Sequence, residues 1–268
     1  MIRGLYTGAS GMRAQEHRLD TLSNNLANVD LNGYKRDTSV HKAFPELMIR
    51  RFDDDGQFRF PLGSVDTAPI VGRLGTGVEY NESYTVFEQG SLKVTENPFD
   101  LALADEGFFT VDTPQGIRYT RNGSFWLGKE QILETKDGYP VMGENGLIRI
   151  TKDHVTIDKL GRVWQQETLD SDPELVDTVK VVGFPRNRFL EKQGTSFWKE
   201  TEFSGTARDL EGADRPDVIQ GFLEGSNVNP VTEMVNMIEV NRAYEANQKV
   251  IGTQDSLLGR LINQAAKY

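Results

Sequence analysis

The chain has 268 residues, 37% hydrophobic and 26% charged, the composition of a folded protein with a sizeable core and not of a disordered one. Its formal net charge of −10 excludes general nucleic-acid binding, which needs a concentrated positive field. The absence of cysteine excludes disulfides, thiolate metal sites and cysteine nucleophiles.

The N-terminal end runs against the overall charge. Residues 1–51 carry eight Lys+Arg against five Asp+Glu, or +3, which leaves −13 for the remainder. That asymmetry suits steering between subunits or a plain solvated helix. The opening MIRGLYTGASGM lacks the apolar stretch of a cleaved signal peptide, and no run of about 18 apolar residues exists for a spanning helix. Neither a cleaved leader nor membrane insertion is expected.

The first thirty residues read as one amphipathic helix. Ile2, Leu5, Ala9, Met12, Glu16, Leu19, Ser23 and Leu26 follow a strict 3,4 alternation, the spacing of a coiled-coil seam. Asn32-Gly33 supplies the residues that close such a helix. Asn24, Asn25 and Asn28 are unusual near its end, because asparagine is a poor helix former. They serve either as a capping region or as polar residues fixing the register of an apolar seam.

Residues 53–77 carry many breakers and little periodicity, and 36–80 as a whole is expected to be an extended connector. A β-rich domain follows over 81–228. Asn122-Gly123, Asp137-Gly138 and Asn145-Gly146 are hairpin-turn dipeptides. Strands are expected at 108–112, 117–120, 125–127, 147–150 and 179–184, in an antiparallel and irregular arrangement.

The last forty residues, 229–268, form a second helix. Asn229 is its N-cap and Pro230 its first residue, with Glu233 in the first turn. Met237, Tyr244, Ile251, Leu258 and Ala265 recur every seven residues, with Val240 and Leu261 beside them and Asn247 and Gln254 interrupting. The fold class is therefore mixed α and β, with paired coiled-coil-like terminal helices around an antiparallel middle. The two apolar seams can be satisfied by a helix hairpin within the chain, by another subunit, or by both.

No catalytic or metal constellation emerges. His17, His41 and His154 are scattered. Asp53-Asp54-Asp55-Gly56 fails as an EF-hand, since Arg51 and Leu62 fall where carboxylates are required. The Gly72–Gly77 stretch has no lysine or strand–helix context for a phosphate loop. No enzyme activity, cofactor or metal is expected.

Four segments together resemble the flagellar rod and hook family of bacteria. These are Ser23-Asn24-Asn25-Leu26-Ala27-Asn28 with Asn32-Gly33-Tyr34-Lys35-Arg36; Asn97-Pro98-Phe99-Asp100-Leu101-Ala102 with Gly107-Phe108-Phe109; Tyr119-Thr120-Arg121-Asn122-Gly123-Ser124-Phe125; and Leu223-Glu224-Gly225-Ser226-Asn227-Val228-Asn229 with Glu233-Met234-Val235-Asn236-Met237-Ile238. The resemblance implies a structural subunit of the basal-body rod, self-assembling through its terminal helices into a hollow shaft for motility. It implies copies of itself, other rod and hook subunits and the type III export apparatus as partners, and export without a cleaved signal peptide.

The opening segment and length look most like a proximal-rod subunit, next a distal-rod one. A secreted β domain binding cell-wall glycan is the reading from a different class. Assembly residues are expected at Leu5, Met12, Leu19, Leu26, Met237, Tyr244, Ile251 and Leu258 for apolar contact. Asn24, Asn25, Asn28 and Asn227 are expected to set register.

Overall fold

A computed structural model of the chain describes residues 2–50, 58–60, 63–65, 70–152, 154–168 and 171–265. It has the mixed architecture expected, with a long helix at each end of a β-rich antiparallel middle. The acidic turn at 53–55 lies outside the described residues.

Helix α1 (Ile2–Ala27) ends earlier than expected: after Asn28 the amides bond three residues back, Val29 N to the Leu26 carbonyl at 3.4 Å and Leu31 N to that of Asn28 at 3.2 Å, and residues 28–33 continue as turns. Gly33 takes φ +68 in those turns. Helix α2 (Pro230–Ala265) starts where expected, and Asn229 Oδ1 accepts hydrogen bonds from Val231 N at 3.0 Å and Thr232 N at 3.4 Å. At 1.5 Å per residue it is roughly 54 Å long. Among the described residues, no helix is long and apolar enough to cross a membrane.

The chain divides into two compact units. One comprises Met1–Ser23, Ser39–Ser83 and Met234–Tyr268, and the other Asn24–Thr38 and Tyr84–Glu233. They are called here the terminal unit and the β unit.

In the terminal unit the stretch expected as an extended connector is paired throughout its described strands. Strands β1 (Asp37–Ala43), β2 (Leu47–Arg50), β3 (Phe58–Phe60), β4 (Gly63–Val65), β5 (Ile70–Leu74) and β6 (Val78–Thr85) pair as β1–β6, β2–β5 and β3–β4. That order is three strand pairs nested one inside the next. Sequence patterning missed it because β2 places Leu47, Met48 and Ile49 in succession, all exposed, so no alternation marks a buried face.

The β unit is built on a six-stranded antiparallel sheet. Its order is Glu191–Gln193, Phe197–Lys199, Gly116–Thr120, Phe108–Thr113, Val181–Gly183 and Arg208–Asp209. Successive residues point to opposite faces, so Phe108 and Phe109 enter different cores. Phe109 joins the larger one with Leu101, Leu103, Phe125, Leu133 and Ile148. Phe108 joins Tyr119, Val182, Leu190 and Trp198, with Phe87 and Phe184 packed against them.

Two local expectations fail. Residues 147–150 form no regular strand, since only isolated bridges run there and the amide of Leu133 and carbonyl of Gln131 take up the backbone of Ile148 and Ile150. Asn122-Gly123 is not a hairpin turn either. Gly123 accepts a bond from Leu101 N at 3.0 Å, and a Cβ at Gly123 would collide with the Leu101 carbonyl.

Candidate assembly site

Within the terminal unit α1 and α2 run antiparallel and meet on glycines. A Cβ on Gly8 would stand 2.9 Å from Ile251 Cγ1, one on Gly11 would stand 3.0 Å from Asn247 Nδ2, and one on Gly4 would fall on the Gln254 side chain. Glycines at 4, 8 and 11 thus open a shallow channel into which the larger side chains of α2 pack.

This seam is offset by about one residue from the one read in the sequence. Gly8, Ala14 and Leu22 are buried, whereas Ala9, Glu16 and Ser23 are exposed. Leu5, Met12 and Leu19 flank the seam, half-buried. On α2, Ile251 meets Gly8; Met237 and Leu258 are half-buried, Val240 is buried and Tyr244 is exposed. The opposite side of α1 touches the ribbon, where the Ser10 hydroxyl accepts from Val78 N at 3.3 Å and the His17 ring lies 4.8 Å from that of Tyr80. His41, beside the same tyrosine, is held below the usual histidine range by burial, then by Arg18 and His17.

Apolar side chains of α2 outside that seam are uncovered. Met234, Val235, Ile238, Val250, Leu257, Leu261 and Ile262 are all exposed, the last at 66%.

The β unit contrasts with this, for its signature residues turn inward. Lys35, Arg121 and Glu224 have side-chain exposures of 0%, 4% and 1%. Lys35 Nζ is 2.5 Å from Glu224 Oε1, and Arg121 Nε is 2.9 Å from Glu224 Oε2. Lys35 also donates to the Glu88 carbonyl, and Arg121 to those of Asp105 and Gly107. Burial draws Lys35 below the usual lysine range; the charge of Glu224 opposes this and that of Arg121 adds to it.

The asparagines complete the clasp. Asn25 is buried, accepts from Asp37 N at 2.9 Å and donates to Asp37 O at 2.8 Å, as a neighbouring strand would. Tyr34 donates its hydroxyl toward Asn24 Oδ1 at 2.9 Å, and burial foremost, then Asp37, raises its pKa above the phenol range. Asn28, half-buried, donates to the Asn24 carbonyl at 2.8 Å. Asn227 accepts from Arg36 N and donates to the carbonyls of Val86 and Glu88. Asn25 and Asn227 therefore spend their amides within the chain. Leu26, half-buried, belongs to this unit as well.

Comparison with known proteins decides the family. The chain matches the family described as flagella basal body rod protein over residues 5–35, the flagellar hook protein FlgE/F/G D1 domain over 102–165, and the flagellar basal body rod FlgEFG protein C-terminal region over 219–264. It is 36% identical over 265 residues to the flagellar basal-body rod protein FlgG of Buchnera aphidicola subsp. Schizaphis graminum, covering 97% of this chain and 99% of that protein. The FlgG of Buchnera aphidicola subsp. Acyrthosiphon pisum is 36% identical over 271 residues, with the same coverage. That of Borreliella burgdorferi is 32% identical over 266 residues, covering 97% of each. The chain belongs to the flagellar basal-body rod protein family. It is a structural rod subunit.

The geometry explains why the rod-family segments have their residues. In the 5–35 match Gly8 and Gly11 admit α2, and Asn25, Tyr34 and Lys35 enter the clasp. Gly33 is required twice over: its φ is positive, and a Cβ there would stand 2.5 Å from the backbone of Arg121 and Asn122. In the C-terminal match Glu224 receives Lys35 and Arg121. Lys35, Arg121 and Glu224 all stand in the family segments, but sequence reasoning gave them no role, because nothing in a linear chain shows that charges 189 residues apart will meet. Among the described residues no group of His, Asp or Glu could hold a metal ion.

Proposed function

We propose that this rod subunit assembles by laying the uncovered apolar residues of α2 against neighbouring subunits, with half-buried Leu5, Met12, Leu19, Met237, Ile251 and Leu258 and exposed Tyr244 completing the contact. The observation that carries this is the exposed set Val250, Leu257, Leu261 and Ile262 on a helix of 36 residues. A helix of that length draws its stability from a covered apolar face, and each Leu, Ile or Val so covered contributes roughly 1.5–3 kcal/mol.

The neighbours are copies of itself and other axial subunits of the rod and hook family. The subunit works in the basal body as a load-bearing part and catalyses no reaction. It reaches that place through the flagellum's own type III export apparatus. The β-unit residues Asn24, Asn25, Leu26, Asn28 and Asn227 serve assembly indirectly, by fixing where α1 ends and α2 begins.

The test is a chain with both Leu257→Asp and Leu261→Asp, expressed in a strain lacking its own copy. Loss of rods and swimming is expected, with the melting of the β unit unchanged. Normal rods in that strain would refute the proposal. Reconstruction of rods from the parental strain gives the subunit's height along the shaft, proximal or distal.

A further inference from the structure

The charged clasp in the β unit joins three distant parts of the chain. One carboxylate, Glu224, lies between two cations, Lys35 and Arg121, and all three are shut away from water. Neither cation is loosely placed, because carbonyls of Glu88, Asp105 and Gly107 hold them. Glu224 Oε1 accepts from Gly90 N at 2.9 Å as well.

We propose that this triad is a closure lock: the β unit folds as one piece, and only once strand Phe222–Glu224 has joined Lys35 and Arg121. The proposal is independent of the rod assignment. Removing one partner of a buried ion pair strands the remaining charge in a dry site, which destabilises far more than the pair itself contributes. Here the loss of Glu224 would strand two cations facing each other.

The connection to the cores is direct. Strand Phe222–Glu224 pairs with Leu92–Val94, and Val218–Gln220, just before it, pairs with Leu101–Leu103 of the larger core. Arg121 follows Thr120, the last residue of a central strand of the six-stranded sheet. A chain emerging N-terminus first therefore keeps its β unit open until residue 224 is available, nearly its whole length.

Amide hydrogen exchange on the full-length chain tests this, read by mass spectrometry over Phe108–Thr113 and Gly116–Thr120. Glu224→Gln is expected to speed exchange there roughly a hundredfold or more. Adding Lys35→Met to Glu224→Gln removes one stranded cation and is expected to restore at least about tenfold of the protection. Lys152→Met, at the surface pair with Glu174 (2.8 Å), is expected to change nothing there.

If Glu224→Gln does not fold at all, refolding of the double variant supports the lock. Parental exchange in the two central strands of Glu224→Gln, with acceleration confined to 33–36, 88–94 and 222–225, would overturn it. So would a double variant no better protected than the single one.

Discussion

The two units solve opposite problems with the same chain. The β unit closes on itself, with two apolar cores, a buried ion triad and asparagine side chains that pair with backbone. The terminal unit leaves Met234, Ile238, Leu257 and Ile262 uncovered, and its helices approach each other over glycine. Glycine contributes no apolar area and costs a helix about 1 kcal/mol relative to alanine. The contrast teaches that the β unit covers its apolar residues with its own interior, whereas the terminal unit leaves apolar surface open, the surface we propose neighbours cover.

After Glu224→Gln, the largest effect expected from a single change that bears on this contrast is Asn25→Ala. It strips the Asp37 N–H and C=O of their partners in a part-buried place, costing about 1–3 kcal/mol. Urea unfolding of the β unit should show this as a lower midpoint with an unchanged slope. A loss below about 0.5 kcal/mol would mean that water replaces the side chain, and that the β unit is less closed than its burial implies.

Next is a pair of glycine substitutions on the two faces of the terminal helices. Gly8→Val forces atoms onto Ile251, where a Cβ alone would stand 2.9 Å away, and should cost roughly 1–3 kcal/mol of helix pairing. Gly252→Ala meets nothing within 4 Å and should gain up to about 1 kcal/mol of helix stability. Circular dichroism at 222 nm against temperature reads both, and the two variants should move in opposite directions. Equal behaviour would show that α1 and α2 are not packed in the isolated subunit.

The smallest effect at neutral pH belongs to Tyr119, whose pKa is pushed to about 12 by burial, and further by Glu200 and Asp209. An exposed tyrosine ionises near 10. The folded form therefore holds its proton over a window where the unfolded form loses it. The stabilisation is fully present below about pH 10 and is lost as pH rises through about 12. Ultraviolet titration of phenolate should show this residue ionising together with alkaline unfolding. Ionisation near pH 10 in the folded protein would contradict its burial.

How much was legible in the sequence follows the same division. Both helices, and strands at Phe108–Thr113, Gly116–Thr120 and Phe125–Leu127, came through because periodicity and capping are local signals. Apolar spacing does not point to the side of α1 that meets α2, because that side is built on Gly4, Gly8 and Gly11, which carry no hydrophobic signal. The nested ribbon lacked alternation, and strands such as Glu191–Gln193 and Arg208–Asp209 are too polar and short to stand out. Asn24, Asn25 and Asn28 were visible as anomalies in a helix. Their partners Tyr34 and Asp37 became visible only in three dimensions.

The most direct measurement is a helical reconstruction of isolated basal bodies at side-chain resolution. This chain is expected in the shaft, with Leu257, Leu261 and Ile262 of each copy covered by adjacent subunits and the Lys35–Glu224–Arg121 cluster untouched inside each copy. Density for the chain outside the shaft, or those three α2 residues open to solvent in the finished rod, would contradict it.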